Sequence, residues 1–197
     1  MERLRTYLAL LHKWQRRINL VAASTLADPW RRHLLDSAQL VRLLPPANLA
    51  TAASTASTPG PSIADLGSGA GFPGLVLAVF GVGPVRLIDS DSRKCGFLRE
   101  AIRATEAPAE VEAARIEALP PLGAAVVTAR ACAPLSALLG HAARHLATDG
   151  VGLFLKGRTA GAELTEAEKT WKMSVSLIPS MSDPSGSVVR VQAIRPR

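Results

Sequence analysis

Short apolar runs alternate with longer amphipathic stretches over most of this chain. From residue 62 the runs are SIADLG (62–67), PVRLID (84–89), AEVEAA (109–114), AAVVTA (124–129) and VGLFLK (151–156). Each has the length of a buried strand, and AEVEAA is the weakest of them. Between them GLVLAVFG, SRKCGFLREAIRAT, PLSALLGHAARHL and AGAELTEAEKTW have helical length. The last two runs, MSVSLIP and VVRVQAI, are separated by a turn, SMSDPSGS, with no helix between them. Strand–helix alternation predicts a parallel sheet covered on both faces, and the ending predicts an antiparallel hairpin at one edge. The expected fold class is α/β with a seven-stranded, mostly parallel sheet.

The first 44 residues follow a different pattern. RLRTYLALLHKWQRRINLV places Leu4, Leu8, Leu11 and Ile18 near helical spacing with basic residues between them. PWRRHLLDSAQLVRLL reads as a second helix, with Asp28 as its cap and Pro29 in its first turn. PPANLATAASTASTPGPS then carries no charge and is mostly Pro, Ala, Ser and Thr, the composition of a loose connector. The expected organisation is an N-terminal helical element (1–44), a linker (45–61) and an α/β body (62–197), one globular unit in all.

Composition changes the picture little and charge somewhat more. With 197 residues, 48% of them hydrophobic, the chain can bury a full core. No apolar run reaches the roughly 20 residues that span a bilayer, and the N-terminus lacks the features of a signal peptide. Cys95 and Cys132 match no metal or disulfide spacing. A cytoplasmic protein without a metal is expected, and a monomer, since no long apolar surface stripe is evident. The net charge is +7. Eight Lys/Arg against three Asp/Glu lie in the first 44 residues, and 15 against 13 in the remainder. A basic face suits a polyanion such as nucleic acid, although a solvated helix face has the same composition.

The candidate chemistry centres on ADLGSGAGFPG (64–74). Four glycines fall within eight residues directly after an apolar run. A triphosphate-binding loop needs Gly-Lys-Ser/Thr at its end, where Phe72, Pro73 and Gly74 stand. A dinucleotide site needs G-x-G-x-x-G, whereas Gly67, Gly69 and Gly71 are spaced G-x-G-x-G. S-adenosylmethionine, which has no phosphate, fits better. Bare backbone approaches its amino-acid tail, Asp65 suits its cationic neighbourhood, and Asp89, 22 residues after Gly67, accepts the ribose hydroxyls.

LHKWQRRINL, RRHLLDS, DLGSGAGFPG, DSDSRKCGFLRE, ARACAPL and LKG, in that order and spacing, resemble the bacterial RsmG (GidB) family of 16S rRNA guanine-N7 methyltransferases. The resemblance runs from about Leu11 to the C-terminus. It implies a Rossmann-like class I methyltransferase fold, S-adenosylmethionine as cofactor, and 16S rRNA or the small ribosomal subunit as partner. By motif it also implies cofactor contacts at Gly67, Gly69 and Phe72, at Asp89, Ser90 and Asp91, at Ile116 and Glu117, and at Arg130. The N-terminus is short for the family, 45–62 looks like an insertion, and Cys95 replaces a basic residue.

N7 of neutral guanine has a free lone pair and no proton to lose. The reaction this family performs therefore needs alignment rather than acid–base catalysis, and no catalytic side chain is expected. Arg130 positions the cofactor or the O6 edge of the base, or else forms a structural salt bridge. The N7 edge of a regular RNA helix faces a deep, narrow groove, so the target base must be looped or turned out, with its phosphates on basic surface. Candidates for that surface are Arg16, Arg17, Arg31, Arg32, Arg93, Lys94, Lys156 and Arg158. His33 and Asp36 are read as packing their helix on the body, and His141 and His145 as a helix surface. Cys95 and Cys132 are read as small packing residues, and Trp14, Trp30 and Trp171 mainly as packing.

Overall fold

The computed structural model describes residues 1–45 and 63–197; apart from Pro45, the linker assigned to 45–61 lies outside them. Among these residues seven strands form one sheet in the order β3-β2-β1-β4-β5-β7-β6. The strands are β1 (Ile63–Leu66), β2 (Val85–Asp89), β3 (Ala109–Ala113), β4 (Ala124–Arg130), β5 (Leu146–Lys156), β6 (Trp171–Pro179) and β7 (Ser187–Pro196). Strands β1 to β5 pair in parallel. β7 runs antiparallel to both β5 and β6, so the expected hairpin is present, with β7 inside the sheet and β6 at its edge.

Alternation along the strands sorts two cores. Ile63, Val85, Leu87, Val126 and Leu153 face one layer, where α1 (Glu2–Gln15), α3 (Gly74–Val79) and α4 (Ser92–Thr105) pack. Ala64, Leu66, Ile88, Val127 and Phe154 face the other, covered by α5 (Leu135–His145) and α6 (Ala160–Ala167). The boundaries of α4 follow from Asp91, whose carboxylate accepts the amides of Arg93 and Lys94, as an N-cap does.

The N-terminal element shares the first core. Leu4, Tyr7, Leu8 and Leu11 are buried in it, and the Tyr7 ring lies 5.2 Å from Phe72 and 6.2 Å from Phe97. Arg3 donates to the carbonyls of Thr105 and Glu106 at the far end of α4, while the Trp14 indole donates to Glu100 at 3.0 Å. α1 is therefore antiparallel to α4. It ends at Gln15, before Ile18, because the Gln15 side chain turns back to bond the amides of Leu20 and Val21 and the carbonyl of Val21.

The second helix, α2, spans 30–43 and is irregular. A π-helical segment (Trp30–Leu35) passes through a short α turn (Asp36–Ala38) into a 3-10 turn (Gln39–Leu43). Asp28 caps it as expected, accepting the Arg31 amide at 3.1 Å. α6 is shorter than the sequence suggested, since Trp171 belongs to β6, where its indole reaches Ser136.

Candidate active site

The chain order reverses between β1 and β4, and a cleft of about 1150 Å³ opens there at the C-terminal ends of the strands. Such a switch point is where open α/β sheets bind ligands. The volume exceeds the roughly 300–1,000 Å³ of an ordinary small-molecule site, which leaves room for a cofactor and part of a second molecule.

The glycine loop forms its floor. Gly67 and Gly69 have φ of +63° and +56°, a region that residues with a Cβ rarely occupy. A Cβ on Gly67 would lie 2.3 Å from the Cys132 sulfur, whereas one on Gly69 would meet only the Gly67 carbonyl at 3.8 Å. Gly69 thus presents bare backbone to open space, a cradle that suits a ligand tail. The loop is fixed from below by Tyr7, whose hydroxyl donates to the Ala70 carbonyl, and from the side by Asp89, whose Oδ2 accepts the Gly69 amide at 2.8 Å.

Asp89, Ser90, Ile116 and Glu117 line the cleft with Gly67, Gly69 and Phe72. The cofactor candidates therefore converge, with one exception. Asp91 is absent from the lining, because its carboxylate is engaged in capping α4 and in pairing with Arg93 at 3.2 Å. Asp65 also departs from expectation. It shares the face of β1 that Ile63 uses and is fully buried beneath the loop. Thr128 donates to its Oδ1 at 2.7 Å and Oδ2 has no partner. Burial raises its pKa to about 6, against the pull of the Thr128 hydrogen bond.

At the other wall His33, Asp36, Phe72 and Arg130 form one cluster. Arg130 Nη1 donates to His33 Nδ1 at 3.0 Å and to the Arg32 carbonyl at 3.2 Å, and lies 3.5 Å from Asp36 Oδ2. Its guanidinium stands 4.7 Å from the Phe72 ring centre, on which His33 also stacks at 4.8 Å. Since Nδ1 faces a guanidinium it must accept, so Nε2 carries the proton and donates to Thr25 Oγ1 at 2.8 Å. Burial, then Arg130 and Arg32, hold the His33 pKa down to about 4. The packing role read for His33 and Asp36 is present, but both also line the cleft. Sequence spacing had singled out RRHLLDS without indicating Arg130 as its partner, 97 residues away.

The β6–β7 turn, which sequence reasoning passed over, completes that wall. Arg31 Nε donates to the Ser182 carbonyl at 2.8 Å, and Arg32 pairs with Asp183 at 2.8 Å, holding its pKa near 2. Among the other basic candidates, Arg16, Arg17, Arg93 and Arg158 are exposed, and Lys94 is half-buried at the cleft edge. Lys156 differs from the expected surface charge. Its side chain is 7% exposed and its ammonium donates to Glu163 and to the Ala133 carbonyl.

Three further expectations need correction. His145 is fully buried, not on a helix surface, and its Nε2 lies 3.2 Å from the Ile116 carbonyl. Cys132 is exposed and lines the cleft, whereas Cys95 is buried as expected. Trp14 and Trp171 pack with their indoles hydrogen-bonded, but Trp30 is 39% exposed. No group of three or more metal-ligating side chains occurs among the described residues.

The reversed sheet order, the glycine loop with Asp89 at the end of β2, and the β5-β7-β6 edge define the class: a Rossmann-like, S-adenosylmethionine-dependent methyltransferase. Two distant likenesses concern this fold. M. jannaschii TYW2 in complex with AdoMet aligns with a TM-score of 0.56 at 15% identity, over 92% of this chain and 80% of its own. A TehB-like SAM-dependent methyltransferase from Corynebacterium glutamicum aligns at 0.54 and 15%, over 86% and 96%.

Within that class the chain belongs to the GidB family, rRNA small subunit methyltransferase G, whose model matches residues 1–188. A relative from Paramagnetospirillum magneticum bearing the name ribosomal RNA small subunit methyltransferase G is 53% identical over 194 residues, 98% of this chain and 89% of its own. One of the same name from Rhodospirillum rubrum is 52% identical over 98% and 90%.

Proposed function

We propose that this protein transfers a methyl group from S-adenosylmethionine to N7 of a guanine in 16S rRNA. The observation that carries the reading is the state of the basic groups in the cleft. Both His33 nitrogens are hydrogen-bonded, Lys156 is paired with Glu163, and Asp65 is sealed beneath the loop. None is free to take a proton from a nucleophile. With these three engaged the site suits an acceptor that has a lone pair and no proton to lose, as guanine N7 does, and the cleft carboxylates Asp36, Asp89 and Glu117 are left to binding roles. The family membership supplies the rRNA.

The residues fit the cofactor. Gly67 and Gly69 would take the amino-acid tail on bare backbone, and Asp89 would accept the ribose hydroxyls, each carboxylate oxygen having a second lone pair to offer. Ile116 and Glu117 would flank the adenine. S-adenosylmethionine supplies an electrophilic methyl on a sulfonium that leaves as a neutral thioether. The protein's contribution is orientation, which is worth roughly 7–11 kcal/mol in well-aligned reactions.

The antiparallel packing of α1 on α4 brings the C-terminal end of one beside the N-terminal end of the other. Lys94 lines the cleft, and Arg16, Arg17, Arg93 and Arg158 are exposed; in this reading they form one basic rim. This rim would hold the phosphates flanking a turned-out base. The 62–197 body works as the methyltransferase unit in this reading, and 1–44 as its RNA-side wall. The protein acts as a cytoplasmic monomer, and no helix among the described residues is long and apolar enough to cross a membrane.

The test is to incubate the protein with S-adenosylmethionine and small subunits, or naked 16S rRNA, lacking this modification, and to map the methyl group. N7-methylguanosine at one position is expected. Transfer to another atom, or none to rRNA, would refute the reading. A steep loss of activity with salt further separates an RNA substrate from a small molecule.

A further inference from the structure

We propose that Arg130 and Asp36 together read the Watson–Crick edge of the target base and make the reaction specific for guanine. This inference rests on the guanine-N7 reading above.

Arg130 makes all its hydrogen bonds through one nitrogen. Nη1 serves Arg32, His33 and Asp36, while Nε and Nη2 have no partner among the described residues. Neither is sealed off, for the buried atoms lacking partners are Asp65 Oδ2 and His145 Nδ1 alone among the described side chains. Arg130 is 18% exposed and lines the cleft. His33 and the Phe72 ring hold the guanidinium plane, so its spare N–H groups are presented in a fixed direction.

Asp36 is held in a complementary way. Oδ1 accepts from Ser182 Oγ at 2.5 Å and from Gln39 Nε2 at 3.0 Å. Oδ2 has only the 3.5 Å approach of Arg130. One carboxylate oxygen is pinned and the other keeps acceptor capacity beside the arginine's free donors.

Guanine presents an acceptor at O6 followed by donors at N1 and N2. A donor next to an acceptor on the protein matches that order. Adenine presents a donor at N6 and an acceptor at N1, so both contacts become repulsive. Uracil has the guanine order at O4 and N3 but no N7 to methylate. The pairing also settles which side of O6 is used. Arginine alone can bridge O6 and N7, which would block the reacting atom. With Asp36 taking N1–H, the base is drawn to the N1 side of O6, and N7 is left free.

The test uses the full-length protein and a substrate RNA carrying guanosine or adenosine at the target position. Single-turnover transfer of labelled methyl is measured with enzyme in excess. Asp36→Ala should lower kcat/KM on guanosine by about 10- to 100-fold, the discrimination expected of one good base contact. It should lower the guanosine-to-adenosine ratio by a similar factor, with cofactor affinity within threefold of wild type. Arg130→Lys keeps the charge and removes the fork; at saturating cofactor, which sets aside the cofactor contact that the resemblance implies for Arg130, it should lower the same ratio. Trp171→Phe removes the indole hydrogen bond to Ser136, away from the pair; it should lower Tm and leave the ratio unchanged. A ratio within twofold of wild type in either folded variant of the pair would overturn the inference, whatever the loss of absolute activity. Failure of the wild-type protein to methylate guanosine at N7 would refute the underlying reading instead, and shows before any variant is made.

Discussion

Two buried groups that both feel the charge of Arg130 titrate in opposing senses. Asp65 is held near pH 6 by burial and His33 near pH 4 by burial and two arginines. Between the ordinary carboxylate range and pH 6, native Asp65 keeps a proton that the unfolded chain has released. The stability this contributes is full below about pH 4 and is lost as the pH rises to 6, about 3 kcal/mol in all at 1.36 kcal/mol per pKa unit. His33 runs the other way. As the pH falls below 6.5 the unfolded chain takes up a proton that native His33 declines until about pH 4, so about 3 kcal/mol present above pH 6.5 is lost on acidification. The windows nearly coincide and the slopes oppose, so these two groups together leave the wild type almost level between pH 4 and 6. Removing either exposes the other. Asp65→Asn should gain about 3 kcal/mol between pH 4 and 6.5, and His33→Asn should lose about as much between pH 4 and 6. With m of about 2–3 kcal/mol/M in urea, either change moves the midpoint by about 1 M or more. Urea melts at half-unit pH steps measure it. Variant profiles parallel to that of the wild type would show that the two groups do not titrate as their burial dictates.

Three other outcomes are expected. Gly67→Ala combines left-handed strain of about 1–2 kcal/mol with overlap on Cys132 of about 1–3 kcal/mol, and should weaken both stability and cofactor binding by calorimetry. The double variant Gly67→Ala/Cys132→Gly should recover the overlap part alone, and no recovery would place the cost elsewhere. Tyr7→Phe strips the Ala70 carbonyl of its buried donor, should cost about 1–3 kcal/mol in urea melts, and should lower cofactor affinity by loosening the glycine loop. Replacing Arg16 and Arg17 together by Ala should reduce the slope of log affinity against log salt for RNA by about 1.5, with cofactor affinity untouched; an unchanged slope would remove both from the RNA-facing rim.

The body of the fold was legible because its strands are apolar runs with clear punctuation, and α4 was legible from the helical length of SRKCGFLREAIRAT between two of them. What escaped was set by distant partners. A helical pattern at 30–43 gives no sign of π winding, since i→i+4 and i→i+5 bonding differ by one residue over a single turn. The place of Asp65 depended on alternation along β1: the carboxyl shares a face with Ile63 and is carried under the loop rather than into the cleft. Lys156 and His145 were misread because Glu163 and the Ile116 carbonyl are brought to them by the chain's return. Asp91, expected at the ribose, caps α4 and lies outside the cleft lining.

The same distinction explains why the N-terminal 44 residues belong to the site. A methyltransferase sheet by itself supplies the cofactor side of the cleft: glycine loop, Asp89, Ile116 and Glu117 all come from the βα crossovers. On those elements only the Phe72 ring touches the guanidinium of Arg130, which ends β4 in the wall of the cleft. Its orientation comes from His33 and Asp36 on α2, and Asp36 is in turn fixed by Ser182 from the β6–β7 turn. Tyr7 then ties α1 to the carbonyl of Ala70 within the loop that cradles the cofactor. Arg130 is held through a single nitrogen and its other donors have no partner among the described residues. The basic N-terminal segment is therefore best understood as the part that turns a general cofactor fold into a site for one base. On the proposed reading its exposed arginines would hold the RNA strand, and His33 and Asp36 would set Arg130 for the base.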